Sequence, residues 1–143
     1  QTRLRVVNLP AQLKEIKDSA FENCTNLTSI TIPDSVVSIG LGAFYNNIRL
    51  YNVNFGSDSK LEIIKKQSFA NCTNLSRIDL PQNVIFSEIN DYCTGNSFLG
   101  CTNLKQINAH KNSKYLTSEN GILFKKTKTR TICKGLFLDV LYE

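Results

Sequence analysis

The sequence predicts a short repeat solenoid of the α/β class, β-rich with little regular helix, in which a parallel strand ladder is closed by a C-terminal β-hairpin cap. Three observations predict it: apolar columns that recur with one shared period, a strand-like alternation inside each unit, and loss of the period after residue 110. The 143 residues are 41% hydrophobic and 20% charged, with 7 Gly and 3 Pro, which suits a folded body and excludes collagen-like or extended disordered chains. No apolar run approaches the roughly 18 residues of a membrane helix. No leader-like charged and apolar regions stand at the start of the chain.

The repeat is explicit. Residues 18–33 read DSAFENCTNLTSITIP, residues 66–81 KQSFANCTNLSRIDLP, and residues 95–109 GNSFLGCTNLKQINA. A degenerate copy, 41–56, reads LGAFYNNIRLYNVNFG. Phe21, Phe44, Phe69 and Phe98 are spaced 23, 25 and 29 apart, and Leu27, Leu50, Leu75 and Leu104 keep those spacings. So do Ile30, Val53, Ile78 and Ile107. One such unit cannot bury its own apolar face, so the units must stack on a shared core.

Each unit carries L-x-x-I-x-I, whose last four residues alternate as a half-buried strand does. The signature appears at Leu27/Ile30/Ile32, Leu50/Val53/Phe55, Leu75/Ile78/Leu80 and Leu104/Ile107/Ala109. It also appears at Leu4/Val7/Leu9, so the chain begins inside a repeat and offers five parallel strands. At a strand spacing of about 4.8 Å they make a five-strand sheet roughly 20 Å across. Pro10, Pro33, Gly56 and Pro81 end four of the strands. The return path carries the pairs Leu13/Ile16, Val36/Ile39 and Leu61/Ile64, and the turn before each Phe is too short for a full helix.

The unit from Ala20 to Phe44, AFENCTNLTSITIPDSVVSIGLGAF, resembles the BspA-like leucine-rich repeat, also called the Treponema pallidum type. The resemblance covers residues 4 to about 109 and identifies the solenoid as a leucine-rich-repeat one of about four and a half repeats. The expected division is 1–109 for the repeats and 110–143 for a cap with a basic hairpin and an apolar tail. Asn112–Ser113–Lys114–Tyr115 followed by residues 119–124 resembles the closing segment that often follows such repeats. Two departures stand out. Asn47 replaces the repeat cysteine of the second unit, and about six extra residues within Ile85–Asn96 should bulge from the solenoid. The resemblance implies a surface or secreted protein of a bacterium or protist that binds host matrix or cell-surface proteins.

In the cap, Tyr115–Ser118 and Ile122–Lys125 read as a hairpin around Glu119–Asn120–Gly121, because Asn-Gly accepts the positive φ of a tight turn. Thr131–Cys133 offers another strand. Residues 136–142, LFLDVLY, are apolar at six of seven positions and either pack on the cap or meet another chain, in which case a two-fold homodimer is expected.

Chemistry-bearing residues are few. Cys24, Cys72 and Cys101 share one inward repeat position, where a thiol acts as a small hydrophobe. Cys72 and Cys101 lie on neighbouring coils within bridging reach, but the shared position favours free thiols. Cys93 in the inserted loop and Cys133 in the cap leave the redox state open. A single histidine, His110, and the lack of any C-x-x-C pair exclude the common zinc sites. No G-x-S-x-G, P-loop or G-x-G-x-x-G is present, so no catalytic, metal or cofactor-binding residue is assigned and an enzyme is not expected. The sequons at Asn23, Asn26, Asn71 and Asn74 arise from the repeat phrase itself.

Two surfaces remain. Residues 105–134 carry eight basic side chains against Glu119, while the remainder of the chain sums to −2. Within that cluster Lys125, Lys126, Lys128 and Arg130 could meet nucleic acid, anionic glycans or phospholipid, or simply solvate a hairpin tip; no aromatic residues are interleaved to make the nucleic-acid reading specific. The other surface is the strand face. Between the apolar columns, Val6 and Asn8, Ser29 and Thr31, Asn52 and Asn54, Arg77 and Asp79, and Gln106 and Asn108 project outward. Arg5, Thr28, Tyr51, Ser76 and Lys105 border them, and Tyr51 and Arg77 are the hot-spot types. The leading expectation is a non-enzymatic protein-binding module on this face. The alternatives are an intracellular, cytoplasmic repeat scaffold or regulator, and an anionic-polymer binder acting through the basic cluster.

Overall fold

The computed structural model describes residues 3–87, 96–126 and 131–132. Every regular element among them is a strand, so the expected scarcity of helix is met in full. The first ladder is built from the alternating segments. β1 (Val6–Val7), β3 (Ser29–Ile32) and β5 (Asn52–Phe55) pair in parallel, as do β7 (Arg77–Asp79) and β9 (Gln106–Asn108). Register follows the repeat columns: Ile30 lies beside Val53, Thr31 beside Asn54, and Ile78 beside Ile107.

The five strands do not make the single sheet expected from the sequence. No ladder joins β5 to β7, so the sheet divides into three strands and two. The division coincides with the first change of period, where Gly56–Lys60 adds two residues to the loop after β5 and the spacing rises from 23 to 25.

A second parallel ladder occupies the return path. β2 (Glu15–Ile16), β4 (Ser38–Ile39), β6 (Ile63–Ile64) and β8 (Ile85–Phe86) form a four-stranded sheet, with Ile16, Ile39, Ile64 and Phe86 in one column. The apolar pairs of the sequence are thus the buried side of a second sheet. The turns bearing the phenylalanines stack by a third set of backbone bonds. Phe21 N donates to the Ala43 carbonyl (2.7 Å), Phe44 N to Ser68 (2.7 Å) and Phe69 N to Ser97 (2.9 Å). Each turn reverses through two left-handed residues, two before and two after its Phe. The first set is Ser19, Gly42, Gln67 and Asn96, and the second is Asn23, Asn46, Asn71 and Gly100. Asn tolerates that conformation better than most side chains, which explains its place in the NCTNL phrase.

The core lies between the ladders. Phe21, Phe44, Phe69 and Phe98 form a column of near-parallel rings with centroid separations of 5.3, 5.2 and 5.8 Å. Beside it runs the cysteine position. Cys72 Sγ donates to the Phe44 carbonyl (3.3 Å) and Cys101 Sγ to the Phe69 carbonyl (3.0 Å), each reaching back one coil. Asn47 performs the same task with its amide, donating to the Phe21 (2.7 Å) and Phe44 (2.8 Å) carbonyls. The departure from cysteine therefore preserves a cross-coil bond, although Asn47 Oδ1 is buried without a partner among the described residues. Asn47→Ala should destabilise by about 1–3 kcal/mol by withdrawing the buried amide donor from the Phe21 and Phe44 carbonyls. Asn47→Cys should recover most of that loss in urea unfolding, and an equal loss from both would deny the shared role.

The cap closes the last coil. β10 (Leu116–Glu119) and β11 (Ile122–Lys125) form an antiparallel hairpin, and β12 (Thr131–Ile132) pairs with β11. The first hairpin strand runs one residue later than expected and pairs Glu119 with Ile122, leaving the two-residue turn Asn120–Gly121 with φ of 51° and 79°. Both values are positive, as a type I′ turn requires. Ile107 N donates to the Gly121 carbonyl (3.0 Å), and Leu116 and Leu123 join the core. The extra residues of the fourth unit, Cys93, Cys133 and the 136–142 tail with its dimer expectation lie wholly or mainly outside the described residues.

Candidate functional surface

Parallel pairing sets the strand-face side chains in rows. Ser29 stands beside Asn52 and Thr31 beside Asn54; Arg77 stands beside Gln106 and Asp79 beside Asn108. Thr31, Asn52, Asn54, Arg77, Asp79 and Gln106 are exposed, whereas Ser29 and Asn108 are half-buried. Val6 is 63% exposed on the face, and Tyr51, 57% exposed, borders it immediately before β5. The break between β5 and β7 parts the rows into two groups.

Arg77, the charged hot-spot type of this face, is held by its own strand. Its Nε lies 3.1 Å from both carboxylate oxygens of Asp79, and Asn108 Nδ2 donates to Asp79 Oδ1 at 2.8 Å. The pair is exposed and adds little to stability, but a partner must compete with Asp79 for the guanidinium. The sequence carried the signal, because opposite charges two residues apart on a strand share a face.

Sequence reasoning missed a cleft of about 690 Å³ where the strands end, lined by Phe55, Asp58, Glu62, Asp79, Pro81 and His110. It lies beside the interruption of the ladder, with the lengthened loop on one side and the turn after β7 on the other. The change of period was its only trace in the sequence. His110 Nδ1 accepts the Asn112 N–H (3.1 Å), so the ring serves a local turn.

The basic cluster is described in part. Lys125 and Lys126 are exposed, but the Lys126 ammonium donates to the Ser113 carbonyl within the cap. Lys128 and Arg130 lie outside the described residues. Cys24, Cys72 and Cys101 are free and buried. The neighbouring Cys101 thiol and burial push the Cys72 thiol far above its ordinary range, which leaves it protonated and a poor nucleophile. Among the described residues no group of His, Cys, Asp and Glu is placed to hold a metal ion, and no helix is long and apolar enough to cross a membrane.

A family model described as a BspA type leucine rich repeat region matches residues 1–129 in six copies. Among solved structures, the pneumococcal vaccine antigen PcpA aligns with a TM-score of 0.70 and 34% identity over 80% of this chain; the chain spans 27% of that one. A leucine-rich repeat protein from Bacteroides capillosus aligns with a TM-score of 0.59 and 28% identity, covering 76% of this chain and 79% of that chain. One from Eubacterium ventriosum, at 21% identity and a TM-score of 0.59, covers 89% of this chain and 37% of that chain, a likeness of fold alone. A comparison with curated proteins returned no match.

Proposed function

The chain belongs to the BspA-type leucine-rich-repeat family, and on that premise we propose that it is a non-enzymatic binding module of a surface or secreted protein that adheres to host matrix or cell-surface proteins. Leucine-rich repeats generally serve as protein-interaction scaffolds. The observation that carries the reading is the strand face itself, an array of exposed polar side chains held in register on a stacked backbone. Such a surface loses little entropy on binding, because its backbone is already ordered. Tyr51 supplies the large aromatic contact typical of an interface anchor. The likeness to a vaccine antigen supports exposure at a cell surface, since an antigen must be met by immune recognition.

The test is direct. The chain is immobilised and offered a panel of purified host matrix proteins, beside a Thr31→Arg/Asn54→Arg variant that raises two long cations in the middle of the face. At least one matrix protein should bind, and the double variant should bind it about tenfold more weakly or worse with an unchanged melting temperature. Binding that is indifferent to the two arginines would remove the strand face from the mechanism.

A further inference from the structure

The two rims of the strand ladder differ in charge. The residues that lead into and begin each strand are 2–6, 25–29, 48–52, 73–77 and 102–106, and they contain Arg3, Arg5, Arg49, Arg77 and Lys105 without a single Asp or Glu. All five cations are exposed. They equal the formal net charge of +5 for the whole chain, so the rest of the sequence is balanced. Backbone bonds stack this rim on each side of the break between β5 and β7: Thr28 N donates to the Arg5 carbonyl and Tyr51 N to Thr28 on one side, and Lys105 N to Ser76 on the other. The opposite rim mixes Asp34 and Asp58 with Lys60 and Lys111.

The centre of the cationic rim breaks the repeat. Where the first unit has Thr25, Asn26 and Thr28, and the third has Thr73, Asn74 and Ser76, the second has Ile48, Arg49 and Tyr51. Folding does not require the larger residues, because neighbouring coils adopt the same backbone with small polar ones. Ile48 is 41% exposed and Tyr51 57%. The Arg49 guanidinium lies along the rim, donating to Asn26 Oδ1 at 2.9 Å. Ile48 and Tyr51 thus stand exposed beside an arginine, and Tyr and Arg are the side chains enriched at interface anchors.

We infer that this rim, centred on Ile48, Arg49 and Tyr51 and flanked by Arg5 and Lys105, docks an acidic segment of a partner protein, with carboxylates arranged around an apolar side chain. The assignment rests on the protein-binding role proposed above and gives it a partner chemistry. A protein segment fits better than a uniform polyanion for two reasons. The centre is apolar, and the cations are uneven, since Asn26 and Thr28 leave one coil without any and Arg77 is already engaged by Asp79. Complementary charge would chiefly speed and orient the encounter, and the apolar centre would hold it.

The test uses the full chain and a consensus reversion, Ile48→Thr/Arg49→Asn/Tyr51→Thr, which gives the second unit the side chains its neighbours already fold with. A fluorescein-labelled random copolymer of glutamate and tyrosine is titrated by anisotropy, beside heparin and duplex DNA, across a range of ionic strengths. The copolymer should bind the native chain, weaken as salt rises, and lose about tenfold or more in affinity on reversion, while the melting temperature stays unchanged. Lys125→Ala/Lys126→Ala should leave that binding intact. The inference is overturned if the copolymer does not bind or binds the reverted chain equally well. It is overturned too if heparin or DNA is preferred and lost on reversion, which would assign the rim to polyanions. In the matrix-protein assay, loss in Thr31→Arg/Asn54→Arg with retention in the reversion would overturn the rim and keep the strand rows as the binding face, without Tyr51 as their anchor. Copolymer binding lost on reversion, with no matrix protein bound, would support the rim while the adhesion reading fails.

Discussion

Phe69→Ala should destabilise the chain by about 3–5 kcal/mol, the range for truncating a fully buried aromatic ring. The Phe69 ring has no exposure and lies between Phe44 at 5.2 Å and Phe98 at 5.8 Å, nearly parallel to both. Its backbone is fixed as well: the N–H donates to Ser97 and the carbonyl accepts Cys101 Sγ. Neighbouring coils cannot close the gap, because backbone bonds between the turns set their separation. A loss of that size approaches the whole stability of a small domain. Phe21, half-buried at the outer end of the ring column, should cost less when truncated. Tyr51→Ala, from a ring 57% exposed at the border of the strand face, should barely move the urea midpoint. Equal losses from Phe69→Ala and Tyr51→Ala would contradict the division into inside and outside.

The same columns show how much was legible beforehand. The spacing of Phe21, Phe44, Phe69 and Phe98 gave the spine, and the L-x-x-I-x-I signature gave the strands and the residues facing out of them. Both signals are long-range and repeat, so they survive local noise. The second ladder was less visible, because each of its strands has two residues and no alternation can be read over so short a run. The division between β5 and β7 was written only as two added residues in one loop, and the cleft follows from it. The left-handed site before each Phe holds Ser19, Gly42, Gln67 and Asn96, four residue types with no common chemistry. Stacking against the next coil imposes that conformation, and the local sequence does not announce it. On the functional surface the rows were readable, whereas the bond that holds Arg77 to Asp79 needed side-chain positions. The cationic rim needed only the columns, but it appears when charge is counted across coils rather than along the chain. Counted along the chain, basicity pointed to residues 105–134 instead.

Gly40→Ala should be the other severe substitution, costing about 1–3 kcal/mol or more as forced overpacking does. The repeat gives no warning of it, because the equivalent positions hold Lys17 and Lys65, both of which carry a Cβ. A Cβ on Gly40 would lie 2.4 Å from Asp18 N, 2.5 Å from the Lys17 carbonyl carbon and 2.6 Å from Asp18 Oδ1. Gly40 cannot retreat easily. Its N–H donates to the Ile16 carbonyl (2.8 Å), and its own carbonyl accepts Ser68 Oγ (2.9 Å) from the following coil. The Asp18 carboxylate is committed at the same place, accepting the Leu41 N–H at 2.8 Å and facing Lys65 at 3.5 Å. The Leu41 N–H, ahead of Lys65, holds that carboxyl below the ordinary carboxylate range. Gly42→Ala is the control. Gly42 has a left-handed φ of 59°, but a Cβ there would meet nothing closer than 3.7 Å, so its cost is conformational, about 1 kcal/mol. Gly40→Ala should therefore lower the melting temperature more than Gly42→Ala. Asp18→Ala should not rescue it, because two of the three obstructing atoms are backbone. Rescue by Asp18→Ala would show that the approach of the first two coils is governed by one side chain and not by the spacing of their main chains.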